Sequence, residues 1–165
     1  MQNSLLRTNE ELMLIYNRNV NVIYKICYVY MKNPFDAENI VQDTFIKLIS
    51  SDTQFESAEH EKAWLIRTSI NLCKNSLKHW WRRNTDIEDE KSNNLIYEQT
   101  FQNDDVLNKI LALPEKYKTA IYLYYYEEYS TKEISEMLGI NESTIRGHLR
   151  TGRNLLKMEM ESDLL

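Results

Sequence analysis

The sequence predicts an all-α protein built from two small helical domains that an acidic linker joins. Only three glycines and two prolines occur among 165 residues, which favours long helices over a β-sandwich or barrel. Apolar residues also recur at steps of three and four, the spacing of an amphipathic helix. Charge is unevenly distributed, because residues 84–105 contain seven acidic side chains and one lysine. We therefore expect domains at 1–83 and 106–165, with the linker at 84–105.

The first two helices are expected to be separated at Asn33-Pro34. The first runs from Leu12 to Tyr30, and it ends there because the residue before a proline avoids the helical region. Asp36 is expected to cap the second helix. The apolar side of that helix comprises Ile40, Val41, Phe45, Leu48 and Ile49. Its outer face is polar and comprises Glu38, Gln42, Asp43 and Lys47.

The third predicted helix, from about His60 to Trp81, combines a buried side with a cationic stripe. The stripe comprises Arg67, Asn71, Lys74 and Lys78, which at ~100° per residue lie within about 60° of one another. Residues 62–83 contain six basic side chains and no acidic one. One interpretation is a solvated basic face with Trp80 and Trp81 in the core. The other is a surface whose cations hold phosphates while Asn71 and aromatic rings engage unpaired bases.

The second domain is expected to begin at Val106 with helices that lead into a tyrosine-rich run. Pro114 fits the first turn of a helix, where its missing N–H costs nothing. The apolar side of that helix comprises Tyr117, Ala120, Ile121, Tyr124 and Tyr125. We expect the run at 122–126 (YLYYY) to be core with hydroxyls that reach water.

Residues 129–157 have the pattern of a helix-turn-helix. Ser130 and Glu133 form a capping box, Gly139 ends the first helix and Asn141 can cap the second. Ile145, Leu149 and Leu156 of the second helix face inward at helical spacing. The opposite side comprises Ser143, Arg146, Gly147, Arg150, Arg153, Asn154 and Lys157. A short helix, a glycine turn and a helix with a cationic stripe indicate a module that enters the DNA major groove.

Gly147 lies inside that second helix, where a glycine costs roughly 1 kcal/mol relative to alanine. The cost is easier to explain if a phosphate or a base edge must come close to the backbone. A helical hairpin with a solvated basic face is the alternative interpretation.

Composition and motifs argue against several other classes of protein. The formal net charge is −5, and neither an apolar run of membrane-spanning length nor a signal peptide is present. We expect a soluble cytoplasmic protein without membrane insertion. Cys27 and Cys73 are expected to be reduced core residues, and His60, His79 and His148 match no metal-ligand spacing. No phosphate loop or hydrolase motif occurs, so we expect no enzyme, no cofactor and no metal.

Three motifs follow one another along the chain. The first is DAENIVQDTF at 36–45, and the second is AWLIR at 63–67 with Asn71 and Asn75 after it. The third is LPEKY at 113–117, which Tyr129-Ser130 and the helix-turn-helix follow. In this order, from about Leu12 to Lys157, the chain resembles bacterial RNA polymerase sigma factors of the extracytoplasmic-function group of the sigma-70 family.

The resemblance implies a sigma region 2-like helical bundle at 1–83 and a sigma region 4-like helix-turn-helix domain at 106–165. The positions implied to bind core polymerase are Glu38, Gln42, Asp43 and Lys47. Those implied to melt and read the −10 element are Phe55, Arg67, Asn71, Lys74, Asn75 and Lys78. Those implied to read the −35 element are Ser143, Thr144, Arg146, Gly147, His148, Arg150, Thr151, Arg153 and Lys157.

The function that the resemblance implies is transcription initiation by an alternative sigma factor, with core RNA polymerase, promoter DNA and an anti-sigma factor as partners. The chain departs from the family pattern at His60-Glu61-Lys62, where a proline and an arginine are common, and at Gly147, where serine is usual. Two rival hypotheses remain. A polymerase-independent helix-turn-helix regulator would bind duplex DNA unaided, and a sigma-like adaptor would dock on polymerase without opening DNA.

Overall fold

A computed structural model describes residues 7–83 and 105–163, and all the regular secondary structure in this part of the chain is α-helical. The helices are α1 (Asn9–Met31), α2 (Pro34–Ser50), α3 (Ala58–Arg83), α4 (Asp105–Leu111), α5 (Glu115–Tyr125), α6 (Thr131–Leu138) and α7 (Glu142–Asp163). They form two compact units, one of α1–α3 and one of α4–α7. The predicted all-α class is confirmed. The predicted linker at 84–105 lies outside the described residues except for its last residue, and the predicted domain boundaries stay a prediction.

α1 begins three residues before its predicted start because a capping box forms at Thr8. The Glu11 N–H donates to Thr8 Oγ1 at 3.2 Å, and the Thr8 N–H donates to Glu11 Oε2 at 2.9 Å. The sequence pattern T-x-x-E is the signature of this motif, so the earlier start was readable from the sequence. The helix ends before Lys32, whose φ of 57° is left-handed.

α2 is capped by Asn33, so the prediction that Asp36 caps it is wrong. The Asn33 side chain accepts hydrogen bonds from the Phe35 N–H at 2.8 Å and the Asp36 N–H at 3.2 Å. Pro34 occupies the first helical position, where a proline lacks only an N–H that would have no helical partner. Asp36 therefore lies within the first turn, where its negative charge interacts favourably with the helix dipole.

The helices of the first unit contact one another pairwise and enclose one core. Its most deeply buried side chains include Ile23, Ile26, Cys27, Tyr28, Leu48, Leu65, Ile66, Ile70 and Cys73. Cys27 and Cys73 lie in this core, as predicted, and no disulfide joins them in the described part of the chain. Ile49 was expected on the buried side of α2 but is 55 % exposed. Leu48, which was predicted on the same side, is buried. Ile49 follows it directly and is therefore rotated about 100° away from it around the helix.

A buried carboxylate ties α1 to the first turns of α3. Glu61 is only 6 % exposed, and the Arg18 guanidinium donates to both of its oxygens at 2.9–3.2 Å. The Asn19 amide donates to Glu61 Oε1 and to the Ile15 carbonyl, both at 2.9 Å. A carboxylate removed from water is tolerated only with such partners. This cluster therefore fixes how α3 starts relative to α1.

In the second unit, α7 packs most extensively on α5, and Gly152 permits the approach. A Cβ at Gly152 would lie 2.8 Å from Ile121 Cγ1, which is too close for unstrained packing. The turn between α6 and α7 has the predicted form, with Gly139 at a φ of 65° and the capping box of Ser130 and Glu133. α7 begins at Glu142, directly after Asn141.

The tyrosine run is only partly core, so the prediction for residues 122–126 is wrong in part. Tyr122 and Leu123 are buried, whereas Tyr124, Tyr125 and Tyr126 are 37 %, 49 % and 37 % exposed. Five consecutive residues cover more than one turn of a helix and cannot all face one side. Tyr122 stacks on Tyr126 at 5.2 Å between ring centroids, which covers one face of the exposed ring.

We predict that Glu61→Ala lowers the free energy of unfolding by about 2–3 kcal/mol, because it removes charged hydrogen bonds from a buried site. Urea unfolding with linear extrapolation measures the change. Glu59→Ala is the matched control, since Glu59 is exposed on the same helix and should change stability by no more than about 0.5 kcal/mol. Equal effects at both positions would contradict the assigned role of Glu61.

Candidate nucleic-acid interface

The cationic stripe runs along the outer side of α3. Arg67, Asn71 and Lys78 are exposed and Lys74 is half-buried, while Asn75 is exposed beside them. In the described part of the chain none of the three cations of the stripe forms an ion pair and Asn71 forms no side-chain hydrogen bond. From Arg67 to Lys78 the stripe is about 16 Å long. It therefore offers a row of unneutralised positive charge to a polyanion.

Trp80 and Trp81 end this helix, and both are exposed, at 43 % and 62 %. The interpretation that placed the pair in the core is therefore wrong. Part of each ring therefore faces solvent. The two rings contact each other edge to face, with 5.1 Å between centroids and 84° between planes.

The loop between α2 and α3, residues 51–57, is held in shape by Arg7. The Arg7 guanidinium donates to the carbonyls of Ser51, at 3.2 Å, and of Thr53, and it lies 4.8 Å from the centroid of the Phe55 ring. Phe55 also contacts Trp64 and the edge of His60, at 5.7 and 5.5 Å between centroids. Sequence reasoning missed Arg7, because its partners lie more than 40 residues away and leave no local pattern.

Phe55 is half-buried within this group of rings. Its side chain therefore packs against other side chains that hold the loop in shape. Its role at the −10 element stays a prediction.

The outer face of α2 is more apolar than the sequence suggested. Glu38, Gln42, Asp43 and Lys47 are all exposed there, as the sequence predicted. Ile46 and Ile49 are 60 % and 55 % exposed on the same face, and Phe35 is 71 % exposed at its start. We call this set of seven residues the α2 face. Exposed isoleucines among carboxylate and amide groups are typical of a protein-binding surface, which needs an apolar centre and a polar rim.

The exposed side of α7 carries nearly all of the predicted −35 positions. Exposed side chains and backbone occur at Ser143, Thr144, Arg146, Gly147, Arg150, Thr151, Arg153 and Lys157. Ile145 and Leu149 are buried on the opposite side, so the helix is oriented by its apolar stripe. The helix-turn-helix thus presents a continuous polar surface.

Two of the α7 cations are held by neighbouring side chains. Glu142 Oε1 forms an ion pair with Arg146 Nη1 at 3.1 Å and accepts a hydrogen bond from Thr131 Oγ1 at 2.9 Å. Arg153 Nη1 donates to the Tyr125 hydroxyl at 3.1 Å. Sequence reasoning missed Glu142, although its spacing of four residues from Arg146 is a recognisable ion-pair signal. Arg146 is therefore oriented before any DNA arrives.

The two glycines of α7 have opposite surroundings. A Cβ at Gly147 would meet no atom within 4 Å, whereas one at Gly152 would meet Ile121 at 2.8 Å. Packing within the protein therefore requires glycine at Gly152 but not at Gly147. The role of Gly147 at the −35 element stays a prediction.

His148 differs from its neighbours on α7 because it is half-buried. Its ring lies 5.6 Å from that of Tyr117, edge to face, and its Nδ1 is buried with no hydrogen-bond partner in the described part of the chain. Burial, and then the Lys116 charge, lowers the pKa of His148 below its ordinary value of 6.5. The ring is therefore neutral at pH 7 and adds no charge to the α7 surface.

Over residues 7–83 and 105–163, no cluster of three or more histidine, cysteine, aspartate or glutamate side chains could hold a metal ion. No helix in these ranges is both long and apolar enough to cross a membrane.

Two family models match this chain, and together they cover most of it. The model described as Sigma-70 region 2 matches residues 15–83, and the model described as Sigma-70, region 4 matches residues 103–156. The first match contains the α2 face and the cationic stripe, and the second contains the helix-turn-helix.

Curated relatives and one solved structure agree with the family models. RNA polymerase sigma factor SigV of Bacillus subtilis is 28 % identical over 144 residues, which are 85 % of this chain and 85 % of that protein. ECF RNA polymerase sigma factor SigW of the same species is 27 % identical over 154 residues, 84 % of this chain and 82 % of that one. The sigma factor RpoE of Bartonella quintana, solved in complex with the anti-sigma factor NepR, has the same fold at a TM-score of 0.70 and 20 % identity, over 93 % of this chain and 96 % of that one.

We predict that the same substitution at the two glycines changes stability in opposite directions. Gly147→Ala should raise the free energy of unfolding by about 0.5–1 kcal/mol, because alanine has the higher helix propensity. Gly152→Ala should lower it by about 1–3 kcal/mol, because the new methyl group overpacks against Ile121. Denaturant unfolding of the two variants tests both, and each serves as the control for the other. Changes of the same sign would contradict the packing described for α7.

We predict that His148 makes stability fall as the pH decreases below about 6.5. The pKa of His148 is lower in the folded protein than its ordinary value of 6.5, so the unfolded chain takes up the proton first. The stabilisation is thus fully present above that value and is lost as the pH falls through the folded pKa. Unfolding free energies between pH 7.5 and about 5 should show a smaller loss for His148→Gln, and an intermediate one for Lys116→Gln. An unchanged slope in His148→Gln would contradict the prediction.

Proposed function

Because this chain belongs to the extracytoplasmic-function group of the sigma-70 family, we propose that it is an alternative sigma factor that binds core RNA polymerase, directs it to specific promoters and helps to melt the −10 element. The observation that carries the proposal is that both family regions occur in one chain, in order. A polymerase-independent regulator would not need region 2, so that alternative is disfavoured.

The α2 face is the part that we assign to core polymerase. Its exposed isoleucines, Ile46 and Ile49, would lose water on docking, and this supplies most of the binding free energy of such an interface. Asp43, Glu38 and Gln42 would pair with complementary groups and set orientation, since charged pairs at an interface contribute mainly to specificity. Ile46 and Ile49 thereby join the four positions inferred from the sequence.

The cationic stripe and the loop at 51–57 are the parts that we assign to the −10 element. Arg67, Lys74 and Lys78 would hold the phosphates of the opened strand. Flipping a base out of the duplex costs a few kcal/mol, so a pocket with hydrogen-bonding groups must offset that cost. The Asn71 amide would supply them. A loop already shaped by Arg7 loses less entropy when it captures the base.

α7 is the part that we assign to the −35 element. Arg146 would contact guanine, for which an arginine fork is suited, and its pairing with Glu142 reduces the freedom that it loses on binding. Gly147 would let the DNA backbone or a base edge approach. Arg150 and Thr151 would face the groove, while Ser143, Arg153 and Lys157 would lie nearer the phosphates. His148, half-buried and neutral, would support the helix from behind.

Promoter binding would depend on polymerase because each basic surface is small and the whole chain carries a net charge of −5. Log affinity falls by ~0.9 per log unit of salt for each neutralised phosphate, so a few contacts do not suffice at physiological salt. The protein would work in the cytoplasm, where transcription takes place, without an enzymatic activity of its own. An anti-sigma factor would cover the polymerase-binding and DNA-binding surfaces, as the partner NepR in the RpoE complex suggests.

We predict that this protein binds core RNA polymerase tightly at physiological salt and that Asp43→Lys weakens binding by about tenfold or more, because charge reversal places like charges together at the interface. A fluorescence titration of the labelled protein with core enzyme measures both affinities. Glu59→Lys is the control, since it makes the same charge change at an exposed position outside the α2 face and should leave the affinity unchanged.

Two outcomes would overturn the assignment. If the wild-type protein does not bind core enzyme and instead binds duplex DNA alone, the chain is an ordinary helix-turn-helix regulator. If Asp43→Lys and Glu59→Lys bind equally well, polymerase docks somewhere other than the α2 face.

A further inference from the structure

The last turn of α3 presents an exposed aromatic surface, Trp80 and Trp81, that is not among the positions assigned above to the −10 element. Trp81 is 62 % exposed and Trp80 is 43 % exposed. Tryptophan is costly to leave in water, and an exposed apolar patch bordered by polar residues marks a binding site. The edge-to-face contact between the two rings, at 5.1 Å, leaves Trp81 as the outer member.

Trp81 lies on the same line as the cationic stripe. It follows Lys78 by three residues, Lys74 by seven, Asn71 by ten and Arg67 by fourteen. At ~100° per residue these five side chains lie within a sector of about 80°. Trp80 points about 100° to one side, where it supports the Trp81 ring from the edge. The stripe therefore continues from cations and an amide to a braced aromatic ring.

The positive charge around the Trp81 ring favours a nucleic acid as its binding partner over a protein. Residues 62–83 contain six basic side chains and no acidic one, and the neighbouring Lys78 and Arg82 are exposed. A ring beside cations suits a strand whose phosphates meet the cations and whose bases stack on the ring. A protein partner would have to bring many carboxylates to the same line.

We propose that Trp81 is a stacking platform for an unpaired base of the opened promoter strand, with Trp80 as its brace. The inference rests on the proposed function and extends it to a second point on the strand. Ten residues of helix place Trp81 about 15 Å beyond Asn71. At the duplex rise of ~3.4 Å per nucleotide, which an opened strand exceeds, that distance spans at most about four nucleotides. The base on Trp81 therefore lies within about four nucleotides of the one that Asn71 captures, on the side away from the loop at 51–57.

The test uses holoenzyme assembled from the full chain and core RNA polymerase, on a duplex promoter that the wild-type holoenzyme selects from a random DNA library. 2-Aminopurine replaces successive bases of the melted strand, because its fluorescence rises on unpairing and is quenched by stacking on tryptophan. Wild-type holoenzyme should show one quenched position within about four nucleotides of the captured base. Trp81→Ala should abolish that quenching and shorten the lifetime of the open complex by about fivefold or more.

Matched variants separate stacking from folding and docking. Trp81→Phe keeps an aromatic face and should retain most of the open-complex lifetime. Trp80→Ala, which removes the brace, should give an intermediate lifetime. His79→Ala changes an exposed neighbour that lies off the stripe, and it should behave as wild type. Titration with core enzyme should give the same affinity for all four, which shows that they fold.

Three outcomes would overturn the inference. Trp81→Ala with an unchanged lifetime and unchanged quenching would show that the ring contacts no base. Unchanged opening combined with weaker binding of core enzyme, or of an inhibitory protein, would make the pair a protein-docking surface. If the wild-type chain binds core enzyme but the resulting holoenzyme opens no promoter, the proposed function is wrong and this inference with it.

Discussion

The two-sided character of α3 is the constraint on which the first unit depends. Leu65, Ile66 and Ile70 are fully buried against α1 and α2, so the helix cannot rotate without exposing them. The cationic stripe is therefore fixed toward solvent by burial on the opposite side, not by any contact of its own. Each large aliphatic side chain that is buried contributes roughly 1.5–3 kcal/mol. In the described part of the chain the cations form no ion pair, so they remain accessible at the surface.

Pre-organisation is a recurring feature of the assigned surfaces. Arg7 holds the loop at 51–57 through two carbonyls and the Phe55 ring, and Glu142 orients Arg146. Each contact reduces the conformational entropy that binding would otherwise remove. The contacts are exposed or half-buried, and a surface ion pair contributes little to stability. In the function proposed above, these contacts would therefore matter more for binding than for folding.

The distribution of charge explains why such a protein acts through a larger partner. Ten of the twenty Lys and Arg residues lie on α3 and α7, while the chain as a whole is acidic. A globally acidic chain is repelled by DNA at long range, and a few local cations cannot compensate at physiological salt. In the function proposed above, core polymerase would supply the further phosphate contacts that these two small basic surfaces lack. The same arrangement limits non-specific binding by the protein alone.

Local patterns were enough to predict the helices, the turn of the helix-turn-helix and the family. These patterns are the spacing of apolar residues, the capping box at Ser130 and the order of three motifs. Which of several similar side chains are covered depends instead on tertiary packing. Ile49, Trp81 and Tyr125 are apolar residues in helical register, yet all three are exposed. Arg7 and Glu61 bind partners more than 40 residues away, and a contact of that range leaves no trace in local spacing. Burial depends on which surface a neighbouring helix reaches, and only the packed chain specifies that.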